Sequence, residues 1–415
     1  MCSFRWCFLL AALALTPSRA LAEGRSIARI DAIRMGAQRG PGVAVAAAPR
    51  SASIEASLSS QGFFPRPPSV TMSAGRRAGS FGSGLDYSVT VLQDMSVRGL
   101  GGARSDAALS LRRAVDADVQ RMRLEAATRA GLAWVTALEA EEFLRLRKEA
   151  LAQAERIVAA ARARVGSGVG QPYELAAAQG DYGAAVAAGL DAEGNLVEAL
   201  AELRFALALP AADAIDPAGD LYATDEQPLD EAKAIQAAET GHPLVSSAQS
   251  RVAVAQQEVR LTHAVLAPGV SVGGVFSREG DGTTIVLGMV GFPLPLLDPT
   301  AFESARQRAV VHVAEALVDR ARAEVDRDIR LALHERHHMR EVREALRVHA
   351  LPAMQESLRL AQVNYAVGTQ DITNVLLARQ RLGLAQEQLA RAAAGVQRAD
   401  IKLARATGTL LKGIP

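Results

Sequence analysis

Two short patterns in this chain hold residue types that do chemistry. His334-Glu335-Arg336-His337-His338 matches H-E-x-x-H. On a helix that spacing sets His334 and His338 on one face as zinc ligands, with Glu335 as general base and Glu356 as a third ligand to consider. Gly166-x-Gly168-x-Gly170 has the glycine spacing of a phosphate-cradling loop. Neither pattern has the surroundings its chemistry needs. A catalytic zinc requires a cleft and a second set of residues orienting its ligands, whereas Arg330, Arg336, Arg340 and Arg343 mark a solvated, charged helix face. The glycines follow a long helical pattern rather than a strand, and no lysine occupies the P-loop position, so they read as a break between helices. No Ser/His/Asp set or pair of catalytic carboxylates is identifiable. The expectation is a protein that is not an enzyme, with no cofactor and no resident metal. A zinc-dependent periplasmic hydrolase using His334 and His338 is the competing reading.

The elements around these patterns tell more. Residues 1–22 combine Arg5, the apolar run Cys7 to Leu15 and an Ala20-Leu21-Ala22 cleavage pattern, as expected of a signal peptide for export. Both cysteines, Cys2 and Cys7, fall inside it, so the mature chain should hold no disulfide or thiolate ligand. With 46 basic against 45 acidic residues, nothing points to nucleic acid. Aromatic residues make up only 4% of the chain, and Ala, Leu and Arg dominate, a composition of long helices.

Helical periodicity runs from Gly101 to Arg164 without proline, with Leu111, Val115, Val119, Met122, Ala126, Ala130, Ala133, Ala137 and Phe143 on one stripe. Such a run makes a rod of roughly 95 Å, far longer than a globular helix. After Gly166–Pro172 a second helical run returns from Tyr173 to about Leu209. A second hairpin follows over about 303–407, with Ala309, Val313, Ala316, Leu317, Ala321, Val325, Ile329 and Leu333 as its stripe, a break at Gly368–Asp371 and a kink expected at Pro352. Gly168, Glu174-Leu175 and Ala178-Gln179 recur 200 residues on as Gly368, Asn374-Val375 and Ala378-Arg379, so the chain is a two-fold internal repeat. The boundaries this implies are a first repeat at 23–209, an acidic connector at 210–241 that should be exposed, and a second repeat at 242–415. Trp134, in the middle of the first rod, is expected to pack rather than to bind.

Ahead of each hairpin lies a pair of strands, at about 66–97 and 268–292. Ser69–Ala74 and Leu85–Val91 alternate polar and apolar residues around a glycine-rich turn at Arg76–Gly84. Val270–Phe276 and Thr284–Val290 form the second pair, with Val286 and Val290 on what should be its polar face. Phe63, Phe64, Phe81, Tyr87, Phe276 and Phe292 cluster in or beside these strands, as in the aromatic girdles of membrane barrels. Four strands cannot close a barrel alone, and lipid does not tolerate open edges, so such a chain must pool its strands with other copies.

Three motifs, taken in order, make the resemblance specific. Tyr365-Ala366-Val367-Gly368-Thr369-Gln370-Asp371-Ile372 with Asn374-Val375-Leu376 and Ala378-Arg379, Phe292-Pro293-Leu294-Pro295-Leu296-Leu297-Asp298, and the closing Leu403–Leu410 stretch resemble the TolC-like outer-membrane efflux family. The resemblance spans both halves of the mature chain. It implies an α+β, mainly α fold: long coiled-coil hairpins and four transmembrane strands per chain, assembled as a homotrimeric channel in the lipid of the outer membrane of a Gram-negative bacterium. The channel would act as a passive export conduit with a periplasmic adaptor (membrane fusion) protein and an inner-membrane pump of the resistance-nodulation-division type. Small molecules or metal ions are the expected cargo, and a type I secretion channel is the alternative within the family. The adaptor-contacting tips would be Arg164, Val165, Gly166, Gly168, Val367, Gly368 and Thr369. A periplasmic constriction would involve Glu174, Asp371 and Asn374, although Asn374 and Leu377 stand where family members often carry two aspartates. A periplasmic adaptor is itself a weaker match, because that class has one hairpin between compact β-domains.

Overall fold

The computed structural model describes residues 25–59, 67–79, 82–95, 99–223, 231–266, 269–292 and 300–413. The expected signal peptide (1–22) with Cys2 and Cys7, the aromatics Phe63, Phe64 and Phe81, the acids Asp225, Glu226 and Asp230, and residues 293–298 of the junction motif lie outside them. The described chain begins with β1 (Arg25–Ala28) and three short helices, α1 (Arg29–Arg39), α2 (Val43–Ala47) and α3 (Pro49–Ser59). The hairpin β2 (Ser69–Gly79) and β3 (Gly82–Met95) leads into α4 (Leu100–Gly166) and its return arm α5 (Pro172–Ala206). Strand β4 (Ile215–Ala218), α6 (Glu231–Gly241) and α7 (Pro243–Leu266) precede the hairpin β5 (Val270–Arg278) and β6 (Thr284–Gly291). The second long pair is α8 (Thr300–Ala345) continued by α9 (Leu351–Ala366), with the return arm α10 (Ile372–Ala406).

Helix α4 is 67 residues long, which at ~1.5 Å per residue makes a rod of about 100 Å. Its expected stripe is buried from Val115 to Ala137, apart from the half-buried Met122, while Leu111 is exposed. Alanine at Ala126, Ala130, Ala133 and Ala137 lets neighbouring helices approach closely. In α8 the pattern departs from expectation. The buried apolar positions in its first half are Ala314 and Val318, continuing to Ala321, Val325 and Ile329, whereas Ala309, Val313, Ala316 and Leu317 are exposed. This helix carries two apolar stripes, and only one of them is covered within the protomer. Between α8 and α9 the backbone forms a single π-helical stretch at Leu346–Ala350, directly before Pro352. Proline has no N–H to donate and its ring crowds the carbonyl four residues back, here Val348, so the wider turn accommodates both demands without ending the rod.

The segment expected to be an exposed acidic connector is in part structural. Strand β4 pairs in parallel with β1, and Ile27, Ile215 and Leu221 are buried with Trp134 in one core cluster midway along α4. The Trp134 indole N–H donates to the Ile27 carbonyl at 2.7 Å, so Trp134 packs as expected. Gly219 is required here because a Cβ would lie 2.7 Å from the indole ring. Asp213, Asp216 and Asp220 remain exposed between these anchors.

The four long strands form one antiparallel sheet in the order β2-β3-β5-β6. Strand β2 continues to Gly79 and β3 starts at Gly82, so most of the expected glycine-rich turn at Arg76–Gly84 is paired strand. Register places Val70, Met72, Leu85, Tyr87, Val89, Val91, Val272, Phe276, Val286 and Val290 on one face. Val286 opposes Phe276 and Val290 opposes Val272, which puts both valines on the apolar face rather than the polar one expected. The residues out of pattern are Ile285, Leu287 and Met289. Among the described residues no helix is long and apolar enough to cross a membrane.

Candidate functional site at the helix tips

The two turns between long helices share one backbone design. At the first, Gly168 N–H donates to Val165 O at 3.1 Å and Val169 N–H to Arg164 O at 3.1 Å. At the second, Gly368 N–H donates to Tyr365 O at 3.1 Å and Thr369 N–H to Asn364 O at 2.9 Å, the same pattern 200 residues on. Both are glycine-terminated helix caps of the Schellman kind, and they need the left-handed backbone that Gly168 (φ +73°) and Gly368 (φ +81°) adopt. The next helices start in two ways. Pro172 opens α5 with φ already set for a helix. Asp371 caps α10, its carboxylate accepting from Thr373 N–H at 3.0 Å.

Side chains then tie the two tips together. Glu174, only 7% exposed, accepts a 2.7 Å hydrogen bond from the Tyr365 hydroxyl. Arg164 Nε lies 3.7 Å from the same carboxylate. The Arg164 guanidinium sits 4.6 Å from the Tyr365 ring centre and donates through Nη1 to the Tyr365 carbonyl at 3.1 Å. Burial first, and then the bond to Glu174, pushes the Tyr365 hydroxyl up to about 12, so it stays protonated and donating. On the solvent side Tyr173 donates to the Asp371 carboxylate, and that bond, with the Thr373 N–H, holds Asp371 below the usual aspartate range.

One further pair lies deeper in the wall. Arg379 donates to Asp181 at 2.5 Å and to the Ala150 carbonyl at 3.1 Å, with both charged side chains less than a tenth exposed. This α10–α5–α4 tie went unassigned in the sequence. A signal existed: Ala178, Asp181 and Ala185 fall on one helical stripe, where a lone charge among buried alanines implies a buried partner. Beside the tips a groove of about 650 Å³ opens between the hairpins, lined by Gln153, Arg156, Ile157, Leu358, Gln362 and Val375 among others.

The structure therefore gathers Arg164, Glu174 and Tyr365 in one cluster and Tyr173 with Asp371 in another. Gly166, Gly168, Val367, Gly368 and Thr369 are exposed around the turns, with Val165 half-buried behind them. Asn374 is exposed one turn into α10 and belongs to neither cluster. The H-E-x-x-H residues are differently employed. Glu335 is held by Lys402 at 2.7 and 2.8 Å. The His334 and His338 rings stack with centres 6.3 Å apart. No group of three or more metal-ligating side chains occurs among the described residues.

Long paired helices ending in pinned tips, attached to a four-stranded sheet with one apolar face, are the parts of a tunnel-forming outer-membrane channel subunit. The sequence model of the outer membrane efflux proteins matches residues 36–209 and 234–409, one segment in each repeat. The chain belongs to that family and is an efflux channel component of the outer membrane, a transport conduit rather than an enzyme, working with the other parts of a tripartite efflux system. Solved structures are similar over most of their length. The CmeC outer membrane channel of Campylobacter jejuni matches with a TM-score of 0.76 and 15% identity over 92% of this chain and 86% of its own. The MtrE outer membrane channel of Neisseria gonorrhoeae in its open state gives 0.75 and 17% identity over 92% and 89%. VceC of Vibrio cholerae gives 0.73 and 16% over 92% and 96%. At these identities the structures speak for the fold alone. A comparison with curated protein sequences gives no match.

Proposed function

We propose that three copies close head to tail into one channel, pooling four strands each into a twelve-stranded barrel. The observation that carries this is the four-stranded sheet itself: apolar on one face, with β2 and β6 as its edges among the described residues. The helices agree. Across the wall α5 packs on α4, α4 on α10, and α10 on α8 and α9. The outer members expose apolar residues on opposite edges: Leu190 and Val197 on α5, and Leu331 on α8 with Leu360 and Val363 on α9. Two different edges that complement each other generate a closed ring. The tips at Arg164, Val165, Gly166, Gly168, Val367, Gly368 and Thr369 then meet a periplasmic adaptor protein. An inner-membrane pump of the resistance-nodulation-division type supplies the energy, and this component conducts passively. Cargo is small molecules or metal ions. The Arg164–Glu174–Tyr365 cluster and the Tyr173–Asp371 bond hold the periplasmic end narrow, with Asn374 at its margin.

Native mass spectrometry of the chain extracted from outer membranes tests the assembly. A trimer is expected, and a monomer ends the pooled-barrel reading. Cysteines placed at Val367 and on a co-expressed adaptor's hairpin should crosslink, and crosslinking only at positions remote from the tips removes the docking assignment.

A further inference from the structure

The face of the sheet opposite the apolar one changes character from strand to strand. It carries Ser69, Thr71 and Ser73 on β2, then Ser88, Thr90, Leu92 and Asp94 on β3. On β5 it carries Ser271, Val275 and Ser277, and on β6 only Ile285, Leu287 and Met289. Val275 opposes Leu287, and Leu92 lies opposite Gly273 in the row of Met289, so the apolar patch reaches from β6 across β5 to β3. Leu287 is 54% exposed and Met289 40% exposed. The charged groups of this face sit at its two ends: at one, Arg77 pairs with Asp86 at 3.0 Å and with Glu279 at 2.7 Å, and at the other Asp94 accepts from the Ser271 hydroxyl at 2.7 Å. A barrel strand needs apolar residues only where it meets lipid, and its lumen side is ordinarily polar. Strand β6 already meets lipid with Val286 and Val290, so membrane insertion does not account for Ile285, Leu287 and Met289.

We propose that Leu287, Met289, Ile285 and Val275 form an apolar track along the channel lumen that binds the alkyl or aromatic part of amphipathic organic cargo during export. The inference rests on the channel reading above, because only a closed barrel makes this face a lumen. Three-fold closure repeats the track three times, each beside the polar β2 of the next copy. From Ile285 to Met289 the track runs about 13 Å at ~3.3 Å per residue, the length of a drug-sized molecule. Methionine and leucine bind apolar groups without directional bonds, so cargo is held by its hydrophobic surface and released by the same route. A hydrated metal ion has nothing to gain from such a lining, so the track selects the organic arm of the proposed cargo.

Single-channel recording in planar bilayers with the full chain tests this, using tetramethylammonium and tetrabutylammonium as probes added from the barrel side. The two share a charge and differ in apolar surface. Tetrabutylammonium should interrupt the current with dwell times at least several-fold longer than tetramethylammonium. Leu287→Ser with Met289→Ser should erase the difference, while Leu287→Ile with Met289→Leu preserves it. Equal dwell times for the two probes, or a difference that survives the serine pair, overturn the track. Should the serine pair fail to assemble, the wild type decides through the series from tetraethyl- to tetrabutylammonium: dwell growing with alkyl length sustains the proposal, and a flat series overturns it. A wild type that forms no channel fails the trimeric-barrel reading instead, which separates the two.

Discussion

The two repeats make the same turn at their helix tips and differ in which of their long helices is buried. Gly168 and Gly368 occupy the same left-handed position of the same cap, yet the arms carry opposite loads. In the first repeat the outgoing helix α4 is the buried one, and α5 keeps apolar residues such as Leu190 and Val197 in the open. In the second the return helix α10 is buried, and the outgoing α8 and α9 keep Leu331, Leu360 and Val363 exposed. The reason is position: α4 and α10 pack on each other in the middle of the wall, whereas α5 and α8 flank them. Backbone punctuation has been kept between the repeats, because a helix can end tightly in few ways. Side-chain pattern has followed each helix's neighbours.

If that comparison holds, the ties between repeats should matter most. Asp181→Ala leaves Arg379 buried without its carboxylate, and removing one partner of a buried pair costs about 3–5 kcal/mol. The thermal unfolding midpoint in detergent should drop sharply, and Asp181→Ala with Arg379→Met should recover much of the loss. A drop no larger than that of an exposed control such as Asp191→Ala would show that the pair does not join the repeats. Tyr365→Phe removes one donor from the buried Glu174 carboxylate, a loss of about 1–3 kcal/mol. It should also raise single-channel conductance if the cluster keeps the tips narrow, and unchanged conductance would confine its role to stability. Gly168→Ala and Gly368→Ala should each cost about 1–2 kcal/mol, and by similar amounts, since neither site has an atom within 4 Å of an added Cβ. Clearly unequal losses by calorimetry would break the equivalence of the caps.

The smallest effect is a pH dependence in the central belt, where Glu141 of α4 lies beside Asp216 of β4. Burial, and then the Asp216 carboxylate beside it, raises Glu141 to about 7. A folded value above the unfolded one means the stabilising form is the protonated one. Its contribution is complete below the ordinary glutamate range and is lost as pH rises through about 7. Glu141→Gln should therefore flatten the decline of the unfolding midpoint between about pH 4.5 and 7, and an identical decline in wild type and variant would remove Glu141 from the account.

Much of the architecture was legible in the chain. Uninterrupted 3.6-residue periodicity and glycine breaks 200 residues apart specify rods, tips and repeat, because helix length and termination are local properties. Period-two alternation likewise placed the strands near Val70, Tyr87, Val272 and Phe276. What local pattern could not supply was pairing. Val286 and Val290 looked misplaced until register set them opposite Phe276 and Val272, since alternation reports two faces but not which of them meets a neighbour's apolar face. The covered stripe of α8 was misread for a similar reason: a helix with two apolar stripes does not announce which one its own chain will bury. The belt of β1, β4 and Trp134, and the Arg379–Asp181 pair, depend on contacts between residues far apart in sequence. Helix, turn and repeat were determined by the sequence alone, because their energies are local. Register, buried stripe and cross-repeat ties were decided by the tertiary structure, because each depends on which surfaces the fold brings into contact.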